Sequence, residues 1–217
     1  MPRLFTGLEI PSELALRLSL LNGGLRGARW IDRENYHITL RFIGDVEGHV
    51  ADDIADVLAR TSRPQFDLRI DGLGSFGTKK PHSLFARVVP DQPLLDLQAE
   101  HERIVQRAGL PPESRKYTPH VTLARLRGVA PADAAAWLAM RGDFHAASFP
   151  VTRFVLFSAR ASTGGGPYII EEVYDLAQAA SRRVVDAGRL QADQAPPPAV
   201  WSQAAPHALA SSRTRKI

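Results

Sequence analysis

Two stretches of the chain, NYHITLRFIG at 35–44 and YTPHVTLARL at 117–126, are built alike. The alternation of polar and apolar residues is that of a half-buried strand, and Val, Ile, Thr, Tyr and Phe suit a pleated surface. At their centres, HITL (37–40) and HVTL (120–123) share the form His-apolar-Thr-Leu. Side chains two apart on a strand project from the same face. His37 and Thr39 are therefore neighbours on one strand, and His120 and Thr122 on another. A single His-x-Thr tripeptide is common by chance, and a lone strand histidine is usually structural or exposed. Two copies, each in a strand ahead of a helix and each in a different half of the body, predict a duplicated lobe. If the two strands face each other, two imidazoles and two hydroxyls surround one small volume.

The remaining periodicities supply the lobes. RLFTGLEI at the N-terminus reads as a strand and PSELALRLSLL as a helix, with Pro11, Ser12 and Glu13 suited to its start. HVADDIADVLAR forms an amphipathic helix with Val50, Ile54, Val57 and Leu58 on one stripe. QFDLRIDGLGSFG and HSLFARVV read as a strand pair around a Gly/Lys/Pro loop, and PLLDLQAEHERIVQRAG as a helix closing at Gly109. After the second motif come the helix PADAAAWLAMRG and the strands FHAASF, VTRFVLFSA and PYIIEEVYDL. Hairpin-like strand pairs mixed with helices predict an α+β fold with largely antiparallel sheet. STGGGP at 162–167 has no Lys-Ser/Thr after it and leads into a strand, so it reads as a hairpin turn, not a phosphate cradle. Beyond Leu176 the pattern dissolves into Ala, Gln, Pro and Ser, so 1–177 is the predicted domain and 178–217 a disordered appendage.

Composition narrows the function. No run of about 18 apolar residues is present, which argues against a spanning helix. MPRLFTGLEI lacks the apolar core and small-residue cleavage site of a signal peptide. The chain has no cysteine, which excludes disulfides, thiolate metal sites and a cysteine nucleophile. The expected setting is cytoplasmic. The pI near 9.7 suggests nucleic acid. However, residues 178–217 hold six basic and two acidic residues, a surplus equal to the net charge of +4 for the whole chain. The body is balanced, unlike a protein coated for duplex DNA. A zinc site needs three or four convergent ligands, and neither motif carries an acidic partner, so no metal and no cofactor are expected. His49, His82, His101, His145 and His207 lack a matching Thr and read as solvated or structural.

The paired motifs suit acid–base work. An imidazole has an unperturbed pKa of roughly 6.5, so near neutrality one copy can be neutral and the other protonated. The neutral one takes a proton from water and the protonated one gives a proton to a leaving oxygen, each worth about 10²–10⁴ in rate. Threonine hydroxyls can donate to phosphoryl oxygens whose charge is growing. Such a set can open a phosphodiester ring.

The sequence resembles the 2H phosphoesterase superfamily, specifically the RNA 2′,3′-cyclic phosphodiesterases also described as 2′-5′ RNA ligases. NYHITLRFIGDV and YTPHVTLARL match the two signature motifs, RLFTGLEIP the opening strand, FGTKKPHSLFARV the central hairpin, and LFSARASTGGGPYIIEEVYDL the closing strand pair. The resemblance covers about 1–177. It implies a bilobal duplicated fold, with two mainly antiparallel sheets facing a central cleft and helices outside. It also implies hydrolysis of RNA 2′,3′-cyclic phosphate ends to 2′-phosphomonoesters, with His37 as general acid beside the 3′ leaving oxygen and His120 as general base. The expected partners are RNA ends or nucleotides bearing the cyclic phosphate, with no membrane and a monomeric enzyme. Alternatives are 2′-5′ joining, another nucleotide cyclic phosphate, or an RNA-end binder without turnover.

Two further residues follow from the resemblance. Arg125 matches an Arg used near phosphate, yet strict alternation puts it opposite His120 and Thr122. Either a bulge after Leu123 or a long side chain reaching around an edge would resolve the conflict. By the same alternation Arg41 lies on the motif face and is a second candidate. Tyr117 matches an aromatic that could stack on a base, with core packing as the other reading.

Overall fold

Strand β1 (Arg3–Glu9) opens the chain and leads through Pro11 into helix α1 (Ser12–Ser19). A short strand β2 (Ala28–Trp30) and a 3₁₀ turn (Arg33–Asn35) precede β3 (His37–Asp45). Helix α2 (Gly48–Leu58), strands β4 (Phe66–Leu68), β5 (Ile70–Phe76) and β6 (Ser83–Val88), and helix α3 (Gln92–Arg107) follow. The chain continues with β7 (His120–Leu126), α4 (Pro131–Ala139), β8 (Phe149–Val151), β9 (Arg153–Ala159) and β10 (Tyr168–Asp175). The computed structural model describes residues 3–159 and 167–178, all within one compact unit.

The principal sheet runs β10-β9-β1-β3-β7-β6-β5, with β2 on the β3 side of β7. It consists of two antiparallel halves, β10-β9-β1-β3 and β2-β7-β6-β5. Their strands meet at one residue pair, Ile38 opposite Val121. Both residues are fully buried, so this side of the junction belongs to the core. The motif strands thus lie side by side at the centre of an α+β fold. Helix α3 packs on β3 and α2 packs on α3, which closes the core behind the junction. The α3 residues Leu94, Leu97, Ile104 and Val105 face that core, and the Asp91 carboxylate caps the helix by accepting from the Leu94 N–H at 3.0 Å.

Three details differ from the periodicity. QFDLRIDGLGSFG is two strands, because β4 leaves β5 and pairs with β8 in a separate two-stranded sheet. FHAASF contributes only its last residue to β8; before that, its one strand-like contact is a bridge between His145 and Asp71. On α2, Ile54 and Leu58 are buried but Val57 is exposed, so the stripe is narrower than its apolar residues suggest. The turn expected at 162–167 lies outside the described residues except for Pro167, although the strands flanking it do pair antiparallel. Of the predicted tail, only Gln178 is described.

Candidate active site

The two motif strands carry the same burial pattern over seven residues. In each, His and Thr are partly exposed while the residues between and after them are buried. Ile38 and Val121 point into the core, so the four motif side chains point to the other side of the sheet. Continuing the Ile38–Val121 register by one residue each way sets His37 beside Thr122 and Thr39 beside His120.

Both strands then break their alternation at the same place. In β3 the ladder passes from Gly7 opposite Thr39 to Thr6 opposite Arg41, leaving Leu40 unpaired. In β7 it passes from Phe85 opposite Thr122 to Leu84 opposite Ala124, leaving Leu123 unpaired. Each is a β-bulge, which reverses the faces of the residues that follow. Leu123 and Ala124 are both buried, and Arg125 emerges on the His120 and Thr122 face. Its positive charge acts on both imidazoles.

The bulge in β3 has the opposite consequence for Arg41, which turns into the core. There its guanidinium pairs with Glu102 and donates to the Phe42 and Pro111 carbonyl oxygens. Arg41 is a structural group, and Phe42 takes the exposed position that corresponds to Arg125. Tyr117 packs against the core, and its hydroxyl donates to the Thr39 carbonyl at 3.2 Å. Burial raises the Tyr117 hydroxyl pKa. The residue braces one motif strand against the other, in keeping with the core-packing reading.

The imidazoles are anchored in the same way. His37 Nδ1 lies 2.8 Å from the Asn35 carbonyl oxygen, and His120 Nδ1 lies 2.7 Å from that of Thr118. Each Nδ1–H thus donates to the carbonyl two residues back, and each Nε2 is left for chemistry. The Asn35 side chain accepts from the Tyr168 N–H at 3.1 Å, which steadies the His37 anchor. Thr39 Oγ1 sits 3.1 Å from His37 Nε2.

Aromatic rings surround both histidines. Phe5 and Tyr168 each lie 4.9 Å from the His37 ring, while Phe76 and Phe85 lie 4.8 and 5.4 Å from that of His120. Gly74 makes the second nest possible, because a Cβ there would come within 2.6 Å of the Phe85 ring. Burial among these rings disfavours the charged imidazole. It lowers the His37 pKa to about 4, with the Asn35 carbonyl opposing and His120 and Arg125 adding smaller depressions. Burial also lowers that of His120, again opposed by a carbonyl and assisted by Arg125. No sequence signal marked Phe5, Phe76, Phe85 or Tyr168, since apolar strand residues are ordinary. The carbonyl anchors are backbone groups that any residue supplies.

The other described histidines lie outside this arrangement. His101 is buried on α3 with Nδ1 2.8 Å from Thr6 Oγ1, and His145 pairs with Asp71 at 2.6 Å. His49 and His82 are exposed, and His207 lies outside the described residues. Among the described residues, no group of three or more His, Cys, Asp or Glu could hold a metal ion. No described helix is long and apolar enough to cross a membrane.

Residues 14–163 match the family model for the 2′-5′ RNA ligase superfamily. The chain belongs to that superfamily. It is 34% identical over 172 residues to an RNA 2′,3′-cyclic phosphodiesterase of Aeropyrum pernix, covering 78% of this chain and 96% of that protein. A protein of the same name from Thermotoga maritima is 29% identical over 174 residues, covering 76% and 91%. The fold is shared with Escherichia coli LigT, solved in complex with 3′-AMP, at a TM-score of 0.67 and 22% identity over 82% of this chain and all of that one. Membership confirms the resemblance that the two His-x-Thr stretches carried.

Proposed function

We propose that the protein hydrolyses RNA 2′,3′-cyclic phosphate ends to 2′-phosphomonoesters. The observation that carries this reading is the junction at Ile38 and Val121. Two Nδ1-anchored imidazoles stand diagonally across it on one face of adjacent strands, and the charge of Arg125 acts on both. The names of the relatives at 34% and 29% identity support it. A water attacks phosphorus opposite the 3′ oxygen, and His120 Nε2 takes its proton. The P–O3′ bond breaks, and the departing oxygen takes the proton from His37 Nε2. The ribose keeps its 2′-phosphate and regains a 3′ hydroxyl. Thr39, Thr122 and Arg125 hold the non-bridging oxygens as their charge grows.

Burial lowers both imidazole pKa values, so the acid role of His37 depends on the substrate. A bound phosphodiester anion favours the charged imidazole and restores the proton.

His37→Ala and His120→Ala should each lower kcat for a 2′,3′-cyclic nucleotide by at least ~10², about 2.7 kcal/mol of barrier. The double variant should be little worse than either, because coupled catalytic groups are not additive. A 3′-thio substrate, whose sulfur leaves without a proton, should rescue His37→Ala and not His120→Ala. Rescue of the other variant reverses the roles. Full activity in both single variants overturns the acid–base assignment, and no turnover by the parent protein leaves only an RNA-end binder.

A further inference from the structure

The two halves of the sheet differ in charge around the histidines. Segments 25–30, 77–88 and 116–129 contain Arg26, Arg29, Lys79, Lys80, Arg87, Lys116, Arg125 and Arg127, and no Asp or Glu. The strand register gathers several of them at one end of β7. Arg125 lies opposite Arg29 of β2 on one side and Ser83 of β6 on the other.

The β5–β6 turn that carries Lys79 and Lys80 is fixed to the same end. Its His82 carbonyl accepts from the Leu126 N–H at 2.9 Å, and its His82 N–H donates to Phe76 at 3.0 Å. Gly77 has a φ of 85° and sits where a Cβ would meet the Lys80 carbonyl oxygen at 2.3 Å, so only glycine allows this turn. Arg127 is tied to the β2 side through its N–H to the Gly27 carbonyl at 2.9 Å. Lys79, Lys80 and Arg127 are exposed, and none is ion-paired with a described carboxylate.

The other route away from His37 has the opposite character. A cavity of about 930 Å³ beside His37 is lined by Glu9, Glu13 and Glu34. Its two guanidiniums are already engaged, Arg33 with Glu34 at 2.8 Å and Arg153 with Glu9 at 2.7 Å. A polyanionic strand is disfavoured there. The antiparallel register brings the Arg125 end of β7 alongside the start of β3. The basic end therefore adjoins the histidine assigned to the nucleoside's 3′ oxygen.

We propose that the single-stranded RNA upstream of the cyclic phosphate leaves the cleft over this ridge, with Lys79, Lys80 and Arg127 neutralising its last phosphates. The proposal rests on the cyclic phosphodiesterase reading. It makes the second lobe the determinant of substrate length, while a mononucleotide uses the cleft alone. If each of the three side chains meets one phosphate, log affinity falls with log salt at a slope of about −2 for a single strand.

The full-length protein is assayed with a 2′,3′-cyclic mononucleotide and with a six-nucleotide RNA ending in the same group, across a salt series. The longer substrate should have a KM lower by ~10-fold or more at low salt, with the gap closing as salt rises. Lys79→Glu/Lys80→Glu and, separately, Arg127→Glu should remove most of that gap while leaving kcat and the mononucleotide KM nearly unchanged. The milder Lys79→Ala/Lys80→Ala serves if charge reversal impairs folding. Equal KM values for the two substrates overturn the proposal, as does a gap that survives charge reversal. So does tighter binding of a blunt duplex than of the single strand. Fluorescence anisotropy with a six-nucleotide RNA ending in a 3′-phosphate separates the two readings. Lysine-dependent binding without hydrolysis of either substrate keeps the ridge and overturns the activity. Hydrolysis without a length advantage does the reverse.

Discussion

An imidazole that donates Nδ1–H to a backbone carbonyl has only Nε2 to offer, and both His37 and His120 are held this way. The same geometry serves an acid or a base, so the roles depend on the electrostatics around each ring. In the free site both pKa values lie below the ordinary imidazole range, that of His37 at about 4. The acid must be protonated, and that fraction falls as pH rises through its pKa. The base must be neutral, and that fraction falls as pH drops through its pKa. The profile of kcat/KM, which reports the free enzyme, should therefore be bell-shaped and centred on the acid side of 6.5. Its two limbs belong to the pair. The bound phosphate anion raises both pKa values, so the kcat profile should be displaced to higher pH. A kcat profile at lower pH than that of kcat/KM would refute this account. Arg125→Met removes a positive charge that depresses both rings, so it should shift kcat/KM upward in pH while lowering its height. The identities and parity of His37, Thr39, His120 and Thr122 were legible in the sequence, because the first four residues of each motif keep strict alternation. The tuning of the rings was not, because it comes from aromatic residues on four other strands and from main-chain carbonyls.

At the level of elements, the paired bulges determine which arginine faces the cleft. Leu40-Arg41-Phe42 and Leu123-Ala124-Arg125 give no compositional sign of an unpaired residue, so an unbroken period of two was the natural reading. That reading put Arg41 and Arg125 on the wrong faces in the same way. The departure of β4 from β5 was equally hidden, because FDL and IDGLGSF look continuous until β8 is present as a partner. Buried Arg41 joins β3 to α3 through Glu102, which also accepts from the Glu113 N–H at 3.0 Å. Breaking a buried pair by removing one partner costs about 3–5 kcal/mol, whereas replacing both with apolar groups is often neutral. Arg41→Met should therefore destabilise the fold by about 3 kcal/mol, read as a lower denaturant midpoint. Adding Glu102→Leu should recover most of the loss. If Arg41→Met folds as stably as the parent yet loses catalysis, the residue belongs to the site after all.

Across the whole molecule, the duplication gives the cleft its two matched His-Thr pairs, and departures from symmetry give it direction. Phe42 on one strand answers Arg125 on the other, and an acidic cavity beside His37 answers a basic turn beside Arg125. Net charge concealed this, since a balanced body can still separate its charges. The domain limit read at residue 177 can be tested through the contacts at that point. Leu176 is buried, and its carbonyl accepts from the Gln65 side chain at 3.2 Å. The Ala177 N–H donates to Arg63 at 2.8 Å and its carbonyl accepts from the Gln65 N–H at 2.9 Å. These bonds tie the end of β10 to the segment entering β4. A chain ending at Gln178 keeps all of them and should retain the parent's unfolding midpoint and its turnover of a cyclic mononucleotide. A chain ending at Tyr174 loses a buried leucine, worth about 2–5 kcal/mol, together with these bonds and the one from the Leu176 N–H to the Thr152 carbonyl, at about 0.5–1.5 kcal/mol each. It should unfold at a clearly lower temperature. If the chain ending at Gln178 fails to fold, residues beyond it belong to the domain, and the boundary at 177 is wrong.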